Sequence, residues 1–404
     1  MAVKKAFIHL GMSKTGSTSI QNALFNNTAA LEKNSFRYLS EWGENHLFDF
    51  HNLLSPHPVH PRATGTLGKP IANLKQKNKT AIGKMQKVID TTECETLVFS
   101  GEYFHELYLN ATIDNIKGFV EKYFQNNGIE ATIIYLIRNP LTWMISFLQQ
   151  RLYKNGFMNK DVDYFEAKIK QYEGIINLKN NFSDSLKILK FEDACSDKDG
   201  LVGFFLKAIG LPDEELKNIA ISRSNDSKCM EIMEFIYYLE SVDPLYPYNN
   251  YRRFNKNRFA GDLRALGNIN GIKFDLPYQS KMELWKRLKK TLYSLKENTG
   301  IDYTDYTISP SSSQEMYSEE TIQGFIAAFP KLSITLQNHF LKFFEKKYME
   351  TAQVKFKALH FKDSIPYKIY NSKNISFYLP VFRLKNSLRN FFPQRRKAAK
   401  KRGK

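Results

Sequence analysis

Hydrophobic and polar positions fall into two repeating patterns along the first half of the chain. "KKAFIHLG" is a compact apolar run closed by glycine, which predicts a strand, and "SKTGSTSIQNALFNN" follows with Ile20 and Leu24 on one helical face. The same succession returns three times. "TLVFS" predicts a buried strand ending at "GEYFHE", with "AIGKMQKVID" helical before it and "IKGFVEKYFQ" helical after it. "ATIIYLI" is the strongest strand in the chain, and "RNPLTWMISFLQQRLY" then reads as a helix with Asn139 placed to cap it and Pro140 in its first turn. "SLKILKFEDA" gives a further strand and "DGLVGFFLKAIGL" its helix. Strands alternating with helices predict an α/β fold of three layers, a central and mainly parallel sheet flanked by helices on both faces. His46 to Gly83 holds "SPHPVHPRATGTLGKP" and reads as mostly loop. From Cys229 the pattern turns helical, in "MEIMEFIYYLE", "KMELWKRLKKTLYSLKENTG" and "EETIQGFIAAF", with "SPSSS" at 309–313 as a surface connection. No internal repeat is visible.

With 404 residues, the chain is long enough for one large domain with an appendage. Cys94, Cys195 and Cys229 stand apart, with no CxxC and no metal-ligand spacing, so they read as structural thiols in a reducing compartment, and no metal is expected. No apolar run suggests a secretory leader or a membrane span, so a soluble or peripheral protein is expected, in the cytoplasm. The net charge of +18 is placed unevenly: no acidic residue follows Asp363, while basic residues continue to the C-terminus. The body is mildly basic and residues 351–404 form a separate basic extension.

The first turn after the first strand, "GMSKTGSTSIQ", carries the chemistry. A strand, a glycine-containing turn and a helix N-terminus bind anions through backbone N–H groups and the helix dipole. Lys14 adds a mobile cation, and Ser17, Thr18 and Ser19 add hydroxyl donors. A nucleoside triphosphatase loop follows GxxxxGK[ST]; here Gly11 and Gly16 have that spacing, but Ser17 holds the lysine's place and the lysine comes before the second glycine. Read alone, the loop is also compatible with an ordinary strand–turn–helix capped by Ser and Thr. In "RNPLTWMIS", Arg138 ends a strand and Ser146 lies eight residues on, two turns into the next helix, a spacing that can bring a guanidinium and a hydroxyl to one phosphate.

Taken together, "SKTGSTSIQ" and "RNPLTWMIS" resemble the two motifs of the sulfotransferases that use 3′-phosphoadenosine-5′-phosphosulfate (PAPS), and "LKILKFEDACSDKDGLVGFFLKAIGL" looks like that family's later strand and helix. The resemblance is to the bacterial and carbohydrate-type members, covers residues 4–226 and weakens beyond them; Gly261 and Asp262, with Arg258 nearby, match only part of a further family segment. It implies a P-loop NTPase-like fold with a sulfotransferase domain over 1–350, made of a core at 4–226 and a helical acceptor or lid region at 227–350. It also implies that Ser13, Lys14, Thr15, Gly16, Ser17, Thr18 and Ser19 hold the 5′-phosphosulfate, and that Arg138 and Ser146 hold the 3′-phosphate. Lys14 would then neutralise the oxygen that leaves the sulfuryl group, a task that needs no metal.

By the same resemblance the general base projects from the strand before Arg138, where Glu102 is the first choice, with His105 and His51 as alternatives and Ser100 as a further cofactor contact. Ser222 and Asn225, in "SRSNDSK", form a candidate lid, and His46, His57 and His60 lie in a loop that could fold over the acceptor. The acceptor is a hydroxyl or amine, on a carbohydrate or glycolipid. In the tail, Val381, Leu384, Leu388 and Phe391 share a helical face beside Arg383, Lys385 and Arg389, which reads as an anchor for an anionic membrane surface on its inner face; no specific nucleic acid is expected. A P-loop kinase or NTPase is the alternative enzyme, and a non-catalytic polyanion- or membrane-binding protein the alternative without chemistry.

Overall fold

A computed structural model of the chain describes residues 3–58, 73–102, 107–155, 161–221, 228–242, 265–267, 269–310 and 317–350. In chain order its elements begin β1 (Lys5–Leu10), α1 (Ser17–Asn26), α2 (Thr28–Lys33), β2 (Phe36–Tyr38), α3 (Leu47–Leu54), α4 (Leu74–Thr91), β3 (Thr96–Gly101), α5 (Asn110–Tyr123) and β4 (Glu130–Ile137). They continue as α6 (Pro140–Asn155), α7 (Asp161–Phe182), β5 (Leu186–Lys190), α8 (Phe191–Ser196), α9 (Gly200–Ala208), α10 (Met230–Val242), α11 (Tyr278–Thr299), α12 (Glu319–Ala328) and α13 (Ile334–Glu350). The described residues fall into two compact units. One draws on Met1–Met144, Tyr164–Asp226 and Leu284–Thr307, and the other on Ile145–Asp163, Ser227–Glu283 and Ile308–Lys404.

The first unit is α/β, as the alternation predicts. Its five strands are all parallel, in the order β2-β3-β1-β4-β5. The apolar runs that mark β3 and β4 in the sequence are buried almost throughout, as strands covered on both faces must be. Successive side chains of β3 show how the layers form, because neighbours on a strand point to opposite faces. Val98 joins Ile20 and Leu24 of α1 and Phe205 and Leu206 of α9 in one core. Phe99 faces the other way, towards Phe50 of α3 and Phe124 just after α5, with ring centroids 6.4 and 5.6 Å away. Burying each such aromatic or leucine contributes roughly 1.5–3 kcal/mol against leaving it in water.

In the second unit, Phe235 of α10 packs edge-on to Phe340 of α13 at 5.3 Å, and Phe340 in turn meets Phe325 of α12 at 5.5 Å. Buried Glu231 accepts the backbone N–H groups of Ile272 and Tyr317.

Three expectations need correction, and β2 adds a strand that no pattern predicts. The described part of His46 to Gly83 is not mostly loop: α3 lies inside it and α4 starts at Leu74, because Phe50, His51 and Leu54 bury one face of α3 and Asp49 and Asn52 fall on the others. The strand read from "SLKILKFEDA" stops at Lys190, where α8 begins. β2, only three residues long, is too short to leave a period in the sequence. Cys94 and Cys229 are buried thiols, whereas Cys195 is exposed. Among the described residues, no helix is long and apolar enough to cross a membrane.

Candidate functional site

Strand order places the chemistry. β1 pairs with β3 on one side and β4 on the other, so the segments that follow these three strands emerge side by side at the carboxyl edge of the sheet. Those segments are the Gly11–Ser17 loop, Glu102 and Arg138. In open parallel sheets this edge, where successive connections diverge to either side, is where ligands bind.

The loop is held by side chains that bind its carbonyls. Thr15, fully buried, donates its hydroxyl to Met12 O at 2.6 Å, and Ser17 Oγ lies 3.4 Å from the same oxygen. Trp143 Nε1 donates to Ser13 O at 2.7 Å, and Arg138 Nη1 to Lys14 O at 3.0 Å. Lys14 takes the left-handed conformation (φ 66°), which a β-carbon disfavours, and Gly16 follows at φ 77°. Gly16 is glycine for a second reason: a Cβ there would lie 2.0 Å from Leu201 Cδ2 of α9. It starts α1 with no side-chain cap, and while Ser19 N–H donates to Gly16 O at 2.9 Å, the N–H groups of Ser17 and Thr18 at the helix start have no side-chain acceptor among the described residues. The Ser13 hydroxyl is buried with no hydrogen-bond partner among the described residues. Ser17, expected as a hydroxyl donor to a ligand, instead turns its hydroxyl inward, as Thr15 does, and both shape the loop. Thr18 Oγ1 lies 3.5 Å from Glu102 Oε1, and Ser19 sits partly buried in the first turn.

Arg138 is the second part. Its Nε donates to Thr142 Oγ1 at 3.1 Å, and its guanidinium lies 4.8 Å from the centre of the Phe191 ring. With Nη1 on Lys14 O, two of the five guanidinium N–H donors are used by the described residues. Burial lowers its pKa somewhat, against nearby Glu192, and it stays charged. Asn139 caps α6 as expected, its Oδ1 accepting from Leu141 N at 2.9 Å and Thr142 N at 3.3 Å. Ser146 stands on α6 two turns in.

Around Glu102 the structure separates the candidates. Ser100 is fully buried; its hydroxyl is 2.8 Å from His9 Nδ1, and its N–H donates to His46 Nδ1 at 3.1 Å. His46 stacks on Tyr38 at 4.7 Å, so it belongs to the core and not to an acceptor loop, and His51 is likewise buried. Burial pushes the pKa of His9 down to about 3 and that of His46 to about 3, so both are neutral. His57 is exposed. Glu102 itself is partly buried at the strand end. His105, Ser222, Asn225, Arg258, Gly261, Asp262, His60 and the tail lie outside the described residues. Among the described residues, no cluster of His, Cys, Asp or Glu could hold a metal ion.

No family model matches the chain, and no curated protein matches it significantly. Among solved structures, it overlays on a sulfotransferase from Alicyclobacillus acidocaldarius at 13% identity and a TM-score of 0.34, over 63% of this chain and 100% of the other. Retinol dehydratase in complex with androsterone and inactive cofactor PAP aligns at 15% identity and a TM-score of 0.33, over 75% of this chain and 83% of the other. The same dehydratase in a complex with retinol and PAP gives 16%, 75%, 84% and 0.33. Overlays this loose assign neither fold nor chemistry.

The residues that hold the site together extend beyond those the motifs name. Thr142 and Trp143 were legible in principle, since Thr142 lies one helical turn after Arg138. Glu192, which accepts Asn139 N–H at 2.9 Å, lies within the strand–helix segment noted in the sequence but with no role assigned to it. Tyr303 donates its hydroxyl to the other Glu192 oxygen at 3.0 Å, and no local pattern marks it.

Proposed function

We propose that the chain is a PAPS-dependent sulfotransferase that moves the sulfuryl group to a hydroxyl or amine, on a carbohydrate or glycolipid. The observation that carries this reading is the hydrogen bond from Arg138 Nη1 to Lys14 O. It joins the two motifs whose pairing, and not either motif alone, suggests a nucleotide with phosphate at both ends. The loop's properties fit such a group: an uncapped helix start, a lysine beside it and an orphaned Ser13 hydroxyl.

PAPS, when bound, supplies the sulfuryl group and leaves as 3′,5′-adenosine bisphosphate. The chain's part is electrostatic and positional. The loop N–H groups and Ser13 bind the 5′ end, with Thr15, Gly16 and Ser17 setting the loop's shape and Thr18 and Ser19 lining the helix start. The Lys14 ammonium neutralises charge that grows on the leaving oxygen, which favours the transition state over the ground state. Arg138 supplies its fork to the 3′-phosphate, and Ser146 keeps the same role by resemblance. Glu102 accepts the acceptor's proton. His105 as an alternative base, and Ser222 and Asn225 as a lid, stand on the resemblance alone. The basic tail is assigned to an anionic membrane surface on the cytoplasmic side, which would bring the enzyme to membrane-assembled glycans.

Calorimetric titration with 3′,5′-adenosine bisphosphate, AMP and ATP tests the reading. The bisphosphate should bind at least tenfold more tightly than AMP, about what a charge-assisted phosphate contact contributes, and Arg138→Ala should remove that advantage. Equal affinity for bisphosphate and AMP, or Mg²⁺-dependent turnover of ATP, would overturn it.

A further inference from the structure

Glu192 is the nearest carboxylate influence on Arg138, yet it makes no salt bridge with it. One oxygen, Oε1, accepts the backbone N–H of Asn139 at 2.9 Å and lies 3.4 Å from Thr142 Oγ1. The other, Oε2, accepts the Tyr303 hydroxyl at 3.0 Å. Tyr303 is 7% exposed, and its hydroxyl also lies 3.4 Å from Ile137 O, so the ring is fixed against the end of β4, one residue before Arg138. The Arg138 carbonyl is fixed too, accepting the hydroxyl of fully buried Tyr172 at 2.9 Å.

A part-buried carboxylate beside a part-buried guanidinium would ordinarily pair with it, because the charge-assisted, two-pronged bond is the strongest either can make. Here the carboxylate's oxygens are occupied by other donors. We infer that Tyr303 is a positioning residue that holds Glu192 turned away from Arg138, so that the guanidinium fork stays available to a phosphate. Glu192 then has two effects. Its charge helps keep the guanidinium ionised despite burial, and its hold on Asn139 N–H and Thr142 fixes the start of the helix against which Nε is anchored. If the Tyr303 hydroxyl is lost, Oε2 has no donor, and a buried carboxylate oxygen without one seeks the nearest cation. Glu192 would then occupy the fork and compete with the ligand. The inference rests on Arg138 serving as the phosphate anchor in the reading above.

The test uses the full chain as wild type, Tyr303→Phe, Glu192→Gln and the double variant. Crystal structures of the unliganded proteins report the carboxylate directly. In Tyr303→Phe, Glu192 should move to within salt-bridge distance of Arg138; a carboxylate that keeps its place on Asn139 N–H overturns the inference whatever the ligand data show. Titrations with 3′,5′-adenosine bisphosphate and AMP supply the second readout. Tyr303→Phe should weaken the bisphosphate by about tenfold, the size of a charge-assisted bond, while AMP changes less than twofold. The double variant should recover most of that loss, because an uncharged amide does not compete for the fork. Equal weakening of both ligands, or no recovery in the double variant, would mean that Tyr303 supports the fold only. If wild type itself fails to prefer the bisphosphate, the sulfotransferase reading falls, and the crystal structures still decide whether Tyr303 restrains Glu192.

Discussion

The two buried histidines make acid stability a quantitative test of the sheet's interior. His9 and His46 are both fully buried around Ser100, with folded-state pKa values pushed down to about 3 from an ordinary 6.5. An unfolded chain takes up a proton at each site as pH falls through 6.5, while the native protein takes up none until near pH 3. Stability from these sites is therefore fully present above pH 6.5 and is lost as pH falls through that window. At pH 5 the loss is about 2 kcal/mol for each histidine, or about 4 kcal/mol for the pair, since each tenfold difference in proton affinity between the folded and unfolded chain is worth about 1.4 kcal/mol. Against a typical total of roughly 5–15 kcal/mol, that is a large fraction. Carboxylates held low by partners, such as Asp197 with Lys207 and Asp302 with Lys296, lose their contribution only further down, while Asp49, raised by burial, takes up its proton earlier in the folded chain and acts with the opposite sign to the histidines. Urea unfolding of the full chain at pH 7.5, 6.5, 5.75 and 5 should give a slope approaching two protons. His9→Gln, which removes the titrating group and keeps a polar partner for Ser100, should lower the slope by about one proton. A flat profile between pH 7 and 5, or a slope indifferent to His9→Gln, would refute the reasoning.

Other outcomes follow from the loop, the strand end and the tail. Gly16→Ala combines a strained φ with a clash against Leu201, so it should cost roughly 2–4 kcal/mol in denaturant unfolding, and Leu201→Ala in the same chain should recover the steric part but not the backbone part. Glu102→Gln should abolish sulfuryl transfer while leaving the Kd for 3′,5′-adenosine bisphosphate within about twofold, since the carboxylate's task is proton removal and not nucleotide binding; undiminished turnover would exclude it as the base. Deleting residues 351–404 should leave nucleotide affinity intact and remove sedimentation with vesicles containing phosphatidylserine. Loss of nucleotide binding on that deletion would favour a polyanion-binding protein without catalysis.

What the sequence made legible follows physical range. Strands buried on both faces leave continuous apolar runs, so β1, β3, β4 and the order of elements could be read, and from them the α/β architecture. α3 was hidden because it is only eight residues long and the proline-rich segment after it suggests loop. Lys14, Glu102 and Arg138 stood out because each follows a strand end, a place where side chains rarely serve only packing. Glu192, Tyr172 and Tyr303 did not, because their roles exist only once the end of β4, α7, α8 and the segment after α11 are brought together. Ser17 shows the opposite case: a hydroxyl in a phosphate-type loop reads as a ligand donor, yet it turns inward to the Met12 carbonyl.

Three successive peptide groups of the loop share one further property. The carbonyls of Met12, Ser13 and Lys14 are each tied back by a side chain, from Thr15, Trp143 and Arg138 respectively. The negative ends of these dipoles are thus neutralised inside the protein, and folding alone has already fixed their direction. An anion that met these peptide groups would find their N–H ends already directed, with the Glu102 carboxylate as the opposite charge beside Thr18, so the ordering entropy that a flexible loop would lose on binding would have been met beforehand. A loop fixed in this way should bind an anion with a small entropic penalty and little movement of its own backbone.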